Sequence, residues 1–499
     1  MTVGSPVSRR RALQYLSTTV GGLGAAALLA ACGGSSTAAS SSAATSAATS
    51  SSAAIVSSAA ASSSTTASSS AAAVTTAASS SAAAQTSAPA SSQSAASPGK
   101  AQVTLQYLTW DPAGLKLEQE KLIPDFQKAN PNIKVQGSYA PFAQYWQKLQ
   151  TEGAAGTALD VFWMSVAYSW DFAQKGFSKD LTPLVNQAKI DMAQYYEGVF
   201  DILRYPTSAG DLYAFPSRWV ISVLFYNKNI FDAAKEPYPD DTWDYNKVLE
   251  VAQKLTKSSS DPAKAQWGTL SSTSNTYFDS LVKAFGGHVM DQNLNYTKCQ
   301  LDQPKSIEAI QYAVDLVQKY HVAPSPTELQ GQANPFLAGK VAMDIDGSYQ
   351  MVGFQKATGF VYDIAIVPKG PALRSIYGGP DSISIGSKTK YPDESFQWVF
   401  YYCGPSRPAA SYTPGAVPIY KPTAESPDWL KAMGNPPEHA KVILDSYPNI
   451  DGAEFGTKWE EWRNAMSNEL SLAFLGKKPV PDAAAAATLA VNKVLQGTS

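Results

Sequence analysis

The sequence predicts an α/β protein of two lobes that follows a long leader of low complexity. The composition changes abruptly near Lys100, because almost every position from Ser35 to Ser97 is Ala, Ser or Thr and no aromatic residue occurs there. About 400 residues follow Lys100, which is too long for one ordinary core and suits two lobes. Strand and helix patterns alternate along those residues, as they do in α/β layers.

The charges divide the chain at the same place. No charged residue lies between Arg11 and Lys100, and such a segment cannot bury enough apolar surface to offset the entropy of ordering it. We therefore expect residues 32–100 to be a disordered tether. The folded part, 101–499 with Lys100, carries all 41 acidic residues and 36 basic ones, a net charge of −5. It has no run of Lys and Arg, which argues against nucleic acid as a partner.

Residues 1–31 have the features of an export signal. Arginines from Arg9 to Arg11 precede an apolar stretch, 20–31, that is too short to span a bilayer, since a spanning helix needs about 20 residues. The arginine pair resembles a twin-arginine signal, although Ala12 stands where Phe is usual. The sequence therefore predicts export of the folded part.

The segment Leu29–Gly33 resembles a bacterial lipobox, in which small residues admit the signal peptidase. The thiol of Cys32 would then receive a diacylglyceryl group and become the mature N-terminus. Two or three acyl chains anchor a protein stably, whereas one chain binds only marginally. The tether would span on the order of 45 Å for about 65 residues, so it would hold the folded part clear of the membrane.

Hydrophobic spacing predicts the first elements of the folded part. Alternation predicts a strand over Val103–Tyr107, and a second strand follows the turn signal Asn130-Pro131-Asn132, with Ile133, Val135 and Tyr139. Helical spacing predicts three helices, through Leu115, Leu122 and Phe126, through Val248, Leu249, Ala252 and Leu255, and through Ile307, Ile310, Val314 and Val317. Because strands alternate with helices, we expect largely parallel sheets, with a ligand bound at the carboxyl ends of strands.

Short segments spread over 101–499 share one resemblance. They are Phe126–Val135, Asp160–Trp163, Leu212–Pro216, Leu224–Lys228, Phe231, Thr242–Trp243, Phe336–Met343, Gly347–Tyr349 and Val367–Pro371. In this order they resemble the family of extracellular solute-binding proteins that includes maltose-binding protein. The resemblance implies a two-lobed periplasmic-binding-protein-like fold of type II, in which hinge strands cross between the lobes and a cleft closes over the ligand.

The same resemblance implies where the chain changes lobe. Lobe one would take about 101–216 and 383–435, and lobe two about 222–376 and 440–499. The crossings are expected near Ser217–Ser222, near Tyr377–Ser382 and near Pro436-Pro437.

A sugar presents apolar CH faces and a rim of hydroxyls, so its receptor needs flat aromatic side chains beside fixed donors and acceptors. The chain is well supplied, with 11 Trp, 25 Tyr and 18 Phe. The resemblance implies that Tyr349 stacks on the sugar, with core packing as the alternative. It implies further contacts from the loop that carries Ser165 and Tyr168, whereas Trp163 and Met164 are expected in the core.

The crossings supply further candidates. Arg218 and Trp219 lie at the first crossing, and a hinge salt bridge is the alternative role for Arg218. Val220 stands where maltose-binding protein has a ligand-binding carboxylate, which implies a different sugar. The second crossing offers Gly379 and Asp381, the latter as a hydroxyl acceptor. The remaining candidates are Trp110, Asp111, Tyr277 and Trp459.

Other kinds of site find little support. Cys299 and Cys403 could form a disulfide or remain two buried thiols, because sequence alone does not show the distance between them. The histidines have neither metal-ligand spacing nor a triad context, and no glycine loop suited to phosphates occurs, so we expect no metal or cofactor. A glycosidase would need two opposed carboxylates in the cleft, which sequence cannot exclude.

These observations favour a non-catalytic, monomeric receptor of an ABC importer. It would be anchored through Cys32 to the outer face of the bacterial cytoplasmic membrane, would capture a sugar or oligosaccharide by hinge closure, and would deliver it to the membrane permease. The alternatives are an enzyme that acts on polysaccharide, and a receptor for another solute such as a polyamine or a phosphorylated polyol.

Overall fold

A computed structural model describes residues 101–156, 159–259, 261, 264–291, 296–330, 334–451 and 454–497. The predicted export signal, Cys32 and the predicted tether lie outside the described residues. Within those residues, no helix is both long enough and apolar enough to cross a membrane.

A mixed sheet runs through the folded part. Its strands pair in the order β2-β1-β3-β10-β6-β8-β7, and β9 and β11 pair with β6 as well. A separate ribbon pairs β4 with β5. The strands are β1 Val103–Thr109, β2 Ile133–Tyr139, β3 Val161–Ser165, β4 Arg204–Tyr205, β5 Asp211–Leu212, β6 Phe215–Asn227, β7 Trp267–Thr269, β8 Val341–Gly347, β9 Tyr362–Ala365, β10 Gly378–Ile385 and β11 Val417–Pro418.

Strand β6 belongs to both halves of the sheet. Its first part pairs with β10, up to the partners Ile221 and Gly378, and its second part pairs with β8 and β9 from Ser222 onward. The amide of Ser222 donates to the carbonyl of Tyr377, 3.0 Å away, where β10 is about to begin. Two adjacent strands therefore connect the two halves of the fold side by side.

The centre of the sheet is antiparallel, so the prediction of largely parallel sheets is wrong there. Parallel pairing joins β1 to β2, β1 to β3 and β7 to β8, whereas β10 runs antiparallel to both β3 and β6, and β8 and β9 run antiparallel to β6. Alternating strands and helices indicate parallel pairing only where a helix connects neighbouring strands. The strands β6 and β10 are neighbours in space but far apart in the chain.

The helices pack on this sheet. They are α1 Pro112–Leu117, α2 Ile123–Ala129, α3 Phe142–Ala155, α4 Val166–Gln174, α5 Thr182–Ala188, α6 Lys228–Ala234, α7 Tyr245–Leu255, α8 Asn275–Ala284, α9 Pro304–Gln318, α10 Pro326–Leu329, α11 Met351–Phe354, α12 Pro392–Cys403, α13 Lys421–Ala424, α14 Pro427–Ala432, α15 Val442–Asp445, α16 Trp459–Phe474 and α17 Val480–Gln496.

The elements predicted from hydrophobic spacing are confirmed. Strands β1 and β2 cover the two predicted strands, and α7 and α9 cover the second and third helical stripes. The first stripe is one continuous helical segment, in which a π-helical turn, Glu118–Leu122, joins α1 to α2. Leu115, Leu122 and Phe126 are all buried along it, as the spacing requires.

The disulfide alternative is wrong, because Cys299 and Cys403 are both free, buried thiols. The backbone of Cys299 bonds to Asn492 on α17, while the thiol of Cys403 lies 4.0 Å from the carbonyl of Phe215 at the start of β6. The two residues therefore belong to different parts of the core. Burial raises the pKa of Cys299 to about 11 and that of Cys403 above its ordinary value, so both thiols are unreactive.

Candidate ligand-binding site

A cavity of about 460 Å³ lies beside the point where β6 and β10 cross between the two halves of the sheet. The residues that follow β1 and β3 form one part of its wall, and the crossing strands form the floor. The starts of α3, α8 and α16, the segment after β8 and residues 413–416 form the rest. The cavity thus lies where parallel strands end, as expected for an α/β fold.

Most of the predicted ligand-binding residues lie on the wall of this cavity. They are Trp110, Asp111, Ser165, Tyr168, Arg218, Tyr349, Gly379, Asp381 and Trp459. They come from six separate parts of the chain, so only the fold brings them together.

Two predicted residues, Trp219 and Tyr277, do not line this cavity. Successive side chains on a strand point to opposite faces, so Arg218 and Val220 face the cavity while Trp219 packs behind it against the ring of Tyr447. On α8, Thr276 reaches the cavity, but Tyr277 turns into the core and is only 4% exposed.

The floor carries an ion-pair cluster centred on Arg218. Its Nε donates to Asp381 Oδ2 at 3.0 Å, and its Nη1 donates to Asp111 Oδ2 at 2.9 Å and to Thr413 Oγ1 at 3.3 Å. The guanidinium carbon lies 4.4 Å from the centre of the Trp163 ring. The salt bridge left open for Arg218 is present, and it forms within the cavity wall.

Burial and charge act against each other in this cluster. Burial alone would lower the pKa of Arg218, but Asp381 and Asp111 outweigh it and hold the pKa above its ordinary value. Burial raises the pKa of Asp381, although Arg218 opposes that rise. Arg218 therefore stays charged at any accessible pH.

Asp111 is held by local structure as well. It is the N-cap of α1, where its Oδ1 accepts a hydrogen bond from the amide of Gly114 at 2.9 Å. Such a cap stabilises a helix by about 1 kcal/mol. The other oxygen is left for Arg218, so both carboxylate oxygens have fixed positions.

An aromatic cluster forms the wall above the floor. The ring of Trp110 lies edge-on to Tyr145 and Trp163, with centroids 5.0 Å away in each case. Trp146 stacks on Tyr168 at 3.7 Å with nearly parallel planes, and the ring of Tyr168 lies 5.7 Å from that of Trp459. The cluster therefore continues from α3 through α4 to the start of α16.

Tyr349 stands on the opposite wall and is 44% exposed, which is inconsistent with the alternative of core packing. Its hydroxyl donates to Asp346 Oδ1 at 3.2 Å, and the same carboxylate accepts from Thr276 and Gln350. A Cβ at Gly347 would overlap the tyrosine ring, so any other residue there would displace the ring from this position.

Sequence reasoning missed several residues of the wall, namely Phe142, Asn275, Thr276, Val352, Tyr377 and Thr413. Phe142 is 47% exposed and lies beside Trp110. The side-chain amide of Asn275 donates to the Tyr377 hydroxyl at 3.0 Å. No local pattern marks Phe142, Asn275 and Thr276, because their position depends on how α3 and α8 pack on the sheet.

Two residues within β3 lie in the core, as expected. Trp163 and Met164 are 1% and 0% exposed, so both belong to the core. Asp160 accepts hydrogen bonds from the amide of Gln106 at 2.8 Å and from the hydroxyl of Thr389 at 2.5 Å. Its role is therefore to hold neighbouring segments together.

One group of residues in the described part has the proximity required of metal ligands. The oxygens of Asp363 and Glu438 and the ring nitrogen of His439 lie within 4.8 Å of one another. Asp363 already accepts bonds from Tyr226 and from the amide and ring of His439, and Glu438 pairs with Lys228 at 3.0 Å. These contacts identify a structural connection between β9 and the chain beyond Pro437.

The carboxylates on the described cavity wall do not suit glycoside hydrolysis. They are Asp111 and Asp381, and both bind the same guanidinium. A glycosidase needs carboxyl groups on opposite sides of the scissile bond. These two instead lie together on the floor.

A two-lobed α/β body with a shared central strand and a cavity at the crossing is characteristic of the type II periplasmic-binding-protein fold. The family model for bacterial extracellular solute-binding proteins matches residues 113–405. The chain belongs to this family of binding proteins.

Several known proteins are similar to this chain. A binding protein of Brucella abortus is 24% identical over 373 residues, which cover 73% of this chain and 86% of that protein. The galactooligosaccharide-binding protein of Bacillus subtilis is 23% identical over 357 residues, 68% of this chain and 79% of its own. An ABC substrate-binding protein of Listeria monocytogenes, solved with cycloalternan, superposes with a TM-score of 0.71 at 23% identity, over 79% of this chain and 99% of that structure.

Proposed function

We propose that the protein is the receptor of an ABC importer and captures a sugar or oligosaccharide. The observation that carries this proposal is the cavity at the crossing strands, which combines the rings of Trp110, Tyr168, Tyr349 and Trp459 with fixed hydrogen-bonding groups. Aromatic faces suit the CH faces of sugars, and fixed donors and acceptors suit their hydroxyls.

The ligands of similar proteins support a carbohydrate. The Listeria protein was solved with cycloalternan, and a receptor of Streptomyces glaucescens with a TM-score of 0.65 was solved with acarbose. Each of these two proteins is 23% identical to this chain or less. They therefore support the class of ligand and leave the particular ligand open.

Hinge closure would bring the two walls onto the ligand. In this proposal 101–216 and 383–435 form lobe one, and 222–376 and 440–499 form lobe two. Tyr168 then belongs to lobe one and Tyr349 to lobe two, so a bound sugar would contact both. Ligand stabilises the closed form only through its higher affinity for that form, and the closed form would dock onto the permease.

The proposed receptor is monomeric and non-catalytic. Its export would follow a signal peptide of the twin-arginine kind, and acylation of Cys32 would anchor it through the tether to the outer face of the membrane. A Cys32→Ser variant is then expected to lose a labelled fatty acid and to leave the membrane fraction, while its folded part still binds ligand. Label that persists on the variant would contradict the assignment of Cys32.

Calorimetric titration with a panel of neutral oligosaccharides tests the function. Maltotriose, mannotriose, galactotriose and cycloalternan are suitable first probes, and we expect saturable binding of at least one without change to the sugar. Cleavage of a bound probe would establish the enzyme alternative. Binding of a polyamine or a polyol phosphate, with none of any sugar, would establish a receptor for another solute.

A further inference from the structure

The charged groups on the described wall of the cavity are two carboxylates and one guanidinium. They are Asp111, Asp381 and Arg218, whose side chains are only 10–13% exposed. The floor therefore carries a net charge of −1 in a poorly solvated position. A ligand that brings a further negative charge would be repelled there more strongly than at an open surface.

Arg218 has little capacity left to neutralise an anionic ligand. Its Nε and Nη1 are engaged with Asp381, Asp111 and Thr413, and one guanidinium face lies over Trp163. In the part of the chain that the structure describes, the groups of this cluster without a hydrogen bond are Arg218 Nη2 and Asp381 Oδ1. Each carboxylate oxygen can accept more than one hydrogen bond, so Asp111 and Asp381 both keep acceptor capacity while Arg218 Nη2 keeps a donor, which suits hydroxyls because a hydroxyl both donates and accepts.

The three residues come from separate segments. Asp111 caps α1, Arg218 lies on β6 and Asp381 lies opposite Arg218 in β10. The planar guanidinium can hold two carboxylates in fixed directions, which the single ammonium of lysine cannot do. Arg218 is thus placed to set both the positions of the two acceptors and the charge of the floor.

We propose that Arg218 is a positioning residue that holds Asp111 and Asp381 as acceptors for ligand hydroxyls, so that the site selects neutral polyhydroxylated ligands and rejects those with a carboxylate or phosphate. This inference rests on the proposed receptor function. It assigns the cluster a role in selectivity between ligands of different charge, beyond its contribution to affinity.

Calorimetry with matched ligands tests the inference. The probes are the neutral oligosaccharide that binds best in the panel and each of its analogues in which one C6 hydroxymethyl group is oxidised to a carboxylate. The measured quantity is the ratio of the dissociation constant of an oxidised analogue to that of the neutral probe. We expect every oxidised analogue to bind the native protein at least about tenfold more weakly.

Two substitutions change the charge of the floor with little change in shape. Asp111→Asn keeps a side chain that caps helices well, and Asp381→Asn keeps the size of the residue. Each brings the floor to zero net charge, so the ratio for at least one oxidised analogue should fall by about tenfold. Asp125→Asn removes a charge from an exposed position of α2 and should leave every ratio unchanged.

A third substitution separates position from charge. Arg218→Lys keeps the net charge of −1 but loses the planar fork, so the neutral probe should bind about tenfold more weakly while the ratio stays high. A ratio of dissociation constants does not respond to the fraction of unfolded protein. A merely structural role for the cluster would therefore leave all ratios at the native value in the asparagine variants.

The outcomes distinguish a failure of this inference from a failure of the proposed receptor function. Oxidised analogues that bind the native protein as tightly as the neutral probe would overturn the inference and leave the receptor function intact. Ratios that stay unchanged in both asparagine variants would also overturn it. A protein that binds no sugar, neutral or oxidised, would overturn the receptor function and the inference together.

Discussion

The two walls of the cavity use the same kinds of side chain in different ways. On one wall Trp110 lies within 5.5 Å of four other aromatic rings, and Trp163 beneath it is 1% exposed. On the other wall Tyr349 is 44% exposed and is held by one hydrogen bond to Asp346. The first wall is a rigid platform, and the second presents a ring that is free to meet a ligand.

This difference shows that an aromatic residue near a ligand need not contribute to affinity. A ring packed on all sides contributes mainly to the free energy of unfolding, because its removal leaves a cavity. A half-exposed ring contributes little to folding and keeps its surface for the ligand. The comparison therefore predicts which measurement each substitution will change.

The largest expected effect is on the packed wall. The ring of Trp163 contacts Trp110 and Arg218, and its Nε1 donates to the hydroxyl of Tyr107 at 2.5 Å. Trp163→Ala should lower the free energy of unfolding by about 3–5 kcal/mol, measured by urea denaturation without ligand. Phe142→Ala, at a ring that is 47% exposed, is the matched control and should cost about 1 kcal/mol or less. Equal losses would contradict the division between packed and exposed rings.

The free energy of unfolding should also depend on pH, through the buried carboxyl group of Glu118. Burial raises the pKa of Glu118 from 4.5 to about 7, although the hydrogen bond from Tyr402 at 2.6 Å and the nearby Arg407 oppose the rise. The folded state thus binds a proton that the unfolded state releases above pH 4.5, so stability should fall as pH rises from about 4.5 to about 7.

The Glu118→Gln variant isolates this effect. Relative to that variant, the native protein should lose on the order of 3 kcal/mol across the window and show no further difference above it. Urea denaturation at pH 4.5, 5.5, 6.5 and 7.5 measures the change. Parallel pH profiles for the two proteins would show that Glu118 ionises normally.

On the exposed wall the expected effect is on affinity. Tyr349→Ala should raise the dissociation constant of the sugar by roughly 5- to 150-fold, or about 1–3 kcal/mol, and leave the melting temperature of the free protein nearly unchanged. Tyr349→Trp should retain most of the affinity. An unchanged dissociation constant with a sharply lower melting temperature would place this tyrosine among the packed rings.

The smallest expected effect concerns a contact between the two proposed lobes. The hydroxyl of Tyr168 donates to Glu460 Oε2 at 3.2 Å, which connects α4 to the start of α16. Tyr168→Phe keeps the ring stacked on Trp146 and removes only this bond, so affinity should weaken by about two- to tenfold. Glu460→Gln, which still accepts the bond, should have a smaller effect. Affinity that stays native in Tyr168→Phe would show that this bond does not favour closure.

The residues at the crossing show which features of the site a local sequence pattern can predict. Both Arg218 and Trp219 were predicted to line the site, but strand alternation places only the first there. The twofold period of β6 could have separated them, had the strand been identified through this segment. For Tyr277 no such rule was available, because the side of α8 that meets the cavity depends on how the helix packs.

The disulfide alternative and the parallel sheet failed for a shared reason. Cysteine count and strand order are properties of the chain, whereas pairing between Cys299 and Cys403, or between β6 and β10, is decided by contacts between distant segments. Local patterns contain little information about such contacts. The predicted lobe boundaries and the ligand roles of the wall residues stay predictions.

The sequence by itself determined the division near Lys100, the first strands and helices and the family, because composition, periodicity and motif order are local properties. Only the tertiary structure decided that Arg218 binds two carboxylates at once, and that Trp110 is packed while Tyr349 is exposed. The physical reason is that burial and charge pairing depend on which distant residues meet. Both the cavity and its net charge arise from contacts between residues that are distant in the chain.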